Sequence, residues 1–301
     1  MSKLEEKVEE LYHGICIRQF LKEKLQLSSR LIKSAAIEKR ILVNGEPVRM
    51  KYILNKDDNV VVELNKKNES QNIEPEKMDL DIVYEDSDIL VVNKEPFIVV
   101  HPTRSFTNGT LANGLLYYFK ESNQDCIVRL VSRLDMNTSG LIIIAKNQYA
   151  HMTLSRNKEQ KELRKRYIAV VHGHLKETSG TIDAPIYMQQ GEGHGIERLV
   201  DERGQRSITH YKVAQRLKLG DVVECLLETG RTHQIRVHLN HIGHPIYGDT
   251  LYGYKDEEDL INRQALHAYG LDFESPRTKE ELSLRAELPK DMKELIKKLN
   301  N

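Results

Sequence analysis

The 301-residue chain has no apolar run near the roughly 18 to 20 residues that cross a bilayer as a helix. Its opening, "MSKLEEKVEELYHG", lacks the apolar stretch of a secretory signal. Together these absences lead to the expectation of a cytoplasmic protein without membrane contact. Cysteine is sparse: Cys16, Cys126 and Cys225 are too scattered for a disulfide framework or a paired zinc motif. Redox chemistry is not indicated. Net charge is absent as well, with 45 basic and 45 acidic residues, so bulk composition nominates no polyanionic partner. There is no internal repeat and no low-complexity tract.

What is present is a hydrophobic content of 39%, enough for a substantial core, and an uneven distribution of charge. Between Gly14 and Lys56 stand ten bases and three acids. Such a segment is either an electrostatic footprint for nucleic acid or a solvated helix face.

Residues 1–65 read as a small module. "IRQFLKEKLQ" puts Ile17, Phe20, Leu21 and Leu25 on one helical face, and Ser28-Ser29 can cap a second helix, "RLIKSAAIEKR". "ILVNGEPV" and "NVVVEL" are strand-like, the first containing an Asn44-Gly45 turn. Residues 3–12 suit either state. The polar stretch 66–79 reads as a linker. Residues 80–301 alternate strand-like runs, such as "DILVVNKEP", "GLIIIAK", "RYIAVVHG" and "VVECLLETG", with helical ones, "TLANGLLYYF" and "AHMTLSRNKEQKEL". The expected fold class is α+β: a large mixed, mainly antiparallel sheet with flanking helices, beside a small α+β module.

Three stretches can carry chemistry. In "SRLDMNTSG", Asp135 follows Arg133 and precedes a Thr-Ser-Gly turn at the mouth of an apolar strand. A cation and backbone donors there can hold a carboxylate ionised, although an ordinary Asx-turn explains the pattern too. In "ETGRTHQIRVHLNHIGHPIYGDTLYG", alternation makes "HQIRVHL" a strand with Gln234, Arg236 and His238 on one face and Ile235, Val237 and Leu239 on the other. In "KRYIAVVHG", Tyr167 opens a strand after Lys165 and Arg166, as a core residue or as a stacking platform for a base.

With "GHPIYGD" and "RQALHAYGLDF", these motifs occur in the order of the RluA-like pseudouridine synthases, which the chain resembles over nearly its whole length. Residues 11–64 resemble the S-four-type RNA-binding module that many members carry. The resemblance implies an isomerase that converts specific uridines of structured RNA to pseudouridine without metal or cofactor. It implies Asp135 as nucleophile, Tyr167 stacking on the target base and assisting removal of its ring proton, and Arg236 as the cation beside the acid. Substrate contacts are expected at Arg133, Thr138, Arg231 and Gln234. Arg18, Arg30, Lys33, Lys39 and Arg40 are the expected RNA contacts of the module. For Arg231 an ordinary salt bridge is as good an explanation. Large-subunit ribosomal RNA is the expected target and a monomer the expected form, with transfer RNA, or a catalytically silent assembly factor, as alternatives. One departure stands out: Ser132 occupies a position that is commonly His in the family.

Two other readings are weaker. His233, His238, His241 and His244 crowd together as in a metal hydrolase, but a strand would point His233 and His238 to opposite faces. The glycines of "GEGHG" follow no strand and open no helix, which argues against a phosphate loop.

Overall fold

The computed structural model describes residues 2–64, 71–159, 162–189, 197–255 and 257–301. "GEGHG" lies outside them.

The N-terminal module begins with a strand, β1 (Lys3–Lys7), and a single 3-10 turn, in the stretch whose pattern suits either state. Helices α1 (Ile17–Glu23) and α2 (Ser29–Ile37) follow, the second capped by Ser28, whose hydroxyl accepts the Leu31 amide at 3.2 Å. Strands β2 (Ile41–Val43), β3 (Glu46–Pro47) and β4 (Asn59–Glu63) complete a four-stranded sheet in the order β1-β4-β2-β3. Asn44 and Gly45 both take positive φ, 50° and 88°, as the tight β2–β3 hairpin requires.

The larger body carries β5 (Ile82–Glu85), β6 (Ile89–Lys94), α3 (Leu111–Glu121), β7 (Arg129–Leu130), β8 (Ser139–Ala145), α4 (Gln148–Glu159) and β9 (Arg164–His172). There follow β10 (Ser179–Asp183), β11 (Ile186–Met188), β12 (Arg198–Val200), β13 (Ile208–Arg216), β14 (Gly220–Leu227), α5 (Gln234–His241), β15 (Leu266–Glu274), β16 (Glu281–Arg285) and α6 (Lys290–Asn300). The main sheet runs β10-β13-β14-β9-β15-β8-β6-β5, with β16 on β15 and β7 on β8. Among the described residues, only β15 and β8 pair in parallel. The α+β class and the mainly antiparallel sheet are as the sequence implied.

β8 is buried along its whole length, and this explains its uninterrupted apolar sequence. One face packs on α3 through Ile142 and Ile144; the other meets Ala150 and Leu154 of α4 through Leu141 and Ile143. Gly140 has φ of 111° and sits so close to Ala268 of β15 that a Cβ would strike its backbone. The glycine after Asp135 therefore serves the parallel strand contact.

Residues 71–79, the described part of the expected linker, have no regular structure but are tied to the larger body. The Gln71 amide exchanges two hydrogen bonds with the Val128 backbone at 2.9 and 2.8 Å, and Asn113 Nδ2 donates to the Glu74 carbonyl at 2.8 Å. The module is docked as well. Tyr149 and Met152 of α4 join its apolar core. Arg277 binds the buried Asp88 through two bonds of 2.8 and 2.7 Å, and also reaches Ser2 and the Lys3 carbonyl beside β1.

Candidate active site

The N-terminal ends of β8 and α5 and the strand β9 border a cleft of about 750 Å³. Into it come Arg133, Asp135, Tyr167, Arg231, His233 and Arg236.

Asp135 stands on the loop before β8, and the Thr138 amide closes a turn onto its carbonyl at 3.1 Å. The turn thus spans Asp135 to Thr138, while Ser139 and Gly140 already belong to the strand. Two buried cations hold the next carbonyls. Lys94 Nζ donates to Met136 O at 2.9 Å, as well as to Glu95 O and Ile98 O, and Arg263 donates to Asn137 O at 3.2 Å. Arg263 is itself locked by Asp291 of α6 at 2.6 and 2.9 Å. Burial pulls the Lys94 pKa down to about 7, with Arg263 adding to the fall and the charge of Asp135 opposing it.

The expected strand "HQIRVHL" is instead the helix α5. Ile235, Val237 and Leu239 fit strand alternation, but Ile235, Leu239 and Ile242 also follow i, i+4, i+7, and all three pack into the main core. The helix starts at His233 in the left-handed region, φ 58°, which brings His233 and Arg236 to the same side, facing Asp135.

Arg236 is the electrostatic centre. Its Nη1 donates to Asp135 Oδ2 at 3.1 Å, while Nε and Nη2 grip both oxygens of Asp249 at 2.7 and 2.8 Å. Burial works against its charge, but the Asp249 bonds and the two carboxylates outweigh this and raise its pKa. Tyr252 lies beneath it, 5.0 Å from the guanidinium carbon to the ring centre. The hydrogen bond from Arg236 and the approach of His233 Nε2 both fall on Asp135 Oδ2, and the Asp135 side chain is 27% exposed in the cleft.

Tyr167, on β9, is 6% exposed and lines the cleft. Burial raises its pKa and the charge of Asp135 adds to the rise, so the phenol keeps its proton at neutral pH. A phenolate acting as base is thus disfavoured.

Other expected site residues are placed differently. Gln234 is buried, and its amide is consumed within the fold: Nε2 donates to Ile208 O and Thr209 Oγ1, and Oε1 accepts from Thr229 and the Arg231 amide. It braces the loop before α5 and leaves no group for substrate. Thr138 is 2% exposed and accepts from Gln264 at 3.2 Å, so it supports the turn. Arg133 and Arg231 are exposed at the cleft, Arg231 donating to Arg206 O at 3.3 Å. In the module, Arg18, Arg30, Lys33 and Lys39 are exposed. Arg40 is not: it is 2% exposed, and its guanidinium binds Glu38, Ser34 and the Glu63 carbonyl inside the module, where no phosphate reaches.

The histidines do not converge. His238 bonds to Thr209 Oγ1 and Ala184 O, and His244 to His172 O. Among the described residues no group of three or more His, Cys, Asp or Glu is placed to hold a metal ion. Likewise no helix among them is long and apolar enough to cross a membrane.

The sequence and the fold match a known class. The family model for RNA pseudouridylate synthases fits residues 88–241, and that for the RluD ribosomal pseudouridine synthase N-terminal domain fits residues 4–60. The uncharacterized RNA pseudouridine synthase YjbO of Bacillus subtilis is 42% identical over 86% of this chain and 90% of its own. Ribosomal large subunit pseudouridine synthase D of Zymomonas mobilis is 39% identical over 75% and 74%. The solved structure of human RNA pseudouridylate synthase domain containing 1 superposes with a TM-score of 0.58 and 30% identity, covering 69% of this chain and 83% of that one. The chain belongs to the RNA pseudouridylate synthase family.

Proposed function

We propose that this enzyme isomerises uridines of large-subunit ribosomal RNA, with Asp135 as the reacting group. The observation that carries the reading is the Asp135 carboxylate, held through Oδ2 by Arg236 at the floor of the cleft, beside the Tyr167 ring. Isomerisation breaks the bond between uracil N1 and ribose C1′, turns the base and joins C5 to C1′. The C5 proton leaves and N1 gains one, so no oxidant or second substrate enters. Asp135 attacks through Oδ1 and is released when the C–C bond forms. Arg236 keeps the acid ionised in a site that sheds water when RNA binds. Tyr167 offers its ring to the turned-out base, and Arg133 and Arg231 at the rim meet the RNA around it, offsetting the cost of extraction.

Support for the ribosomal target comes from the match of residues 4–60 to an RluD-type N-terminal domain and from relatives bearing the large-subunit name. We divide the chain into an RNA-binding module (1–65), a connector (66–79) and a catalytic domain (80–301). It acts as a monomer on cytoplasmic RNA. The test is release of tritium from uracil C5 in large-subunit transcripts and in transfer RNA. Release from the ribosomal transcript alone is expected; release from transfer RNA alone would overturn the target.

A further inference from the structure

The family motifs give His233 and Tyr252 no part in the reaction, yet His233 lines the cleft and Tyr252 packs against it and Arg236. The Tyr252 hydroxyl accepts the Arg198 amide at 2.9 Å and lies 2.8 Å from His233 Nδ1. Burial pushes its pKa up to about 12, so the hydroxyl keeps its one proton. With that oxygen already accepting from Arg198, we assign its proton to the bridge to Nδ1. In that assignment Nδ1 is the acceptor, and the proton of the neutral ring resides on Nε2. Burial lowers the His233 pKa against the pull of Asp135, and Arg236 and Arg198 add to the fall, which keeps the ring neutral. Nε2 faces Asp135 Oδ2 at 3.9 Å, the same oxygen that Arg236 holds.

From this arrangement we infer that His233 is a positioning residue for Asp135: its Nε2–H, fixed in tautomer by Tyr252, joins Arg236 in turning Oδ2 away from the substrate so that Oδ1 reacts. Closing the remaining gap takes about 1 Å, since hydrogen bonds of this kind form near 2.9 Å. RNA seated in the cleft shields this contact from solvent and so strengthens it. The inference rests on Asp135 being the reacting group.

The test compares His233→Gln, His233→Leu and Tyr252→Phe in single-turnover tritium release, on RNA labelled at uracil C5 and taken from cells lacking this protein. Gln places an N–H near the position of Nε2, and Leu does not. Neither is β-branched, so both meet the left-handed backbone at similar cost. Leu should slow the chemical step by about 10- to 100-fold, the scale of one hydrogen bond to a charged group, with RNA affinity unchanged. Gln should recover most of the rate, and Tyr252→Phe should fall between the two. Wild-type rates in His233→Leu, equal losses in Gln and Leu, or a loss confined to RNA affinity would each overturn the inference. If His233→Leu fails to fold, a wild-type rate in Tyr252→Phe overturns it alone. Asp135→Asn runs in parallel: product from it sinks the Asp135 reading, whereas an inert Asp135→Asn beside a normal His233→Leu sinks only the role of His233.

Discussion

Arg236 lies between two carboxylates, binding Asp249 with two bonds of 2.7 and 2.8 Å and Asp135 with one of 3.1 Å. The asymmetry divides the two acids by role. Asp249, with its side chain 1% exposed, anchors the arginine, and Asp135, 27% exposed, is the acid proposed to react.

Removing the arginine should therefore cost stability as well as activity. Arg236→Met strands the buried Asp249 charge, and breaking a buried pair in this way costs about 3–5 kcal/mol. Urea unfolding should show a loss of stability of that size. A variant as stable as wild type would mean that Asp249 finds another partner.

Lys94 gives a pH signature. An unfolded lysine holds its proton to about pH 10.4, while the folded one releases it near 7. Between those limits the unfolded chain binds more protons, so this group makes stability rise with pH. Wild type should gain more stability than Lys94→Met between pH 7 and 9, measured by urea unfolding at both. Parallel gains would show that Met136, Glu95 and Ile98, whose carbonyls match the three ammonium protons, keep Lys94 charged throughout.

Tyr167 makes a prediction about rate. Since its phenol stays protonated, the wild-type to Tyr167→Phe rate ratio should be constant from pH 7 to 9. A ratio climbing with pH would identify a phenolate base.

The module is tested by salt. Changing Arg18, Arg30, Lys33 and Lys39 together to Gln should weaken RNA binding and flatten log K against log salt by about one unit for each phosphate these bases neutralise. Arg40 is omitted because it is buried. An unaltered slope would make these bases a solvated face.

Local pattern revealed what local physics decides. The capped helix α2, the Asn44-Gly45 hairpin and the apolar β8 all appear where period and turn chemistry put them. The pairing of Asp135 with Arg236 follows from the family resemblance and is met at 3.1 Å. The helix α5 reads as a strand because Ile235, Val237 and Leu239 satisfy alternation; the spacing to Ile242 carries the helical signal. Burial is the other property that local pattern hides. Gln234, Thr138 and Arg40 are expected as RNA contacts from the family resemblance, yet each is buried and bonded to other groups of the fold. Asp249 and Tyr252 lie within the same motif as Arg236, but only tertiary folding shows that they support it. The structure gives Ser132 a half-buried place in the cleft wall and no explanation of its departure from the family's His.

The central claim is tested most directly by Asp135→Asn, which keeps the shape of the side chain and removes its charge. Tritium release from uracil C5 should disappear while RNA affinity stays within a few-fold of wild type. Product formed by this variant at the wild-type rate would contradict the account.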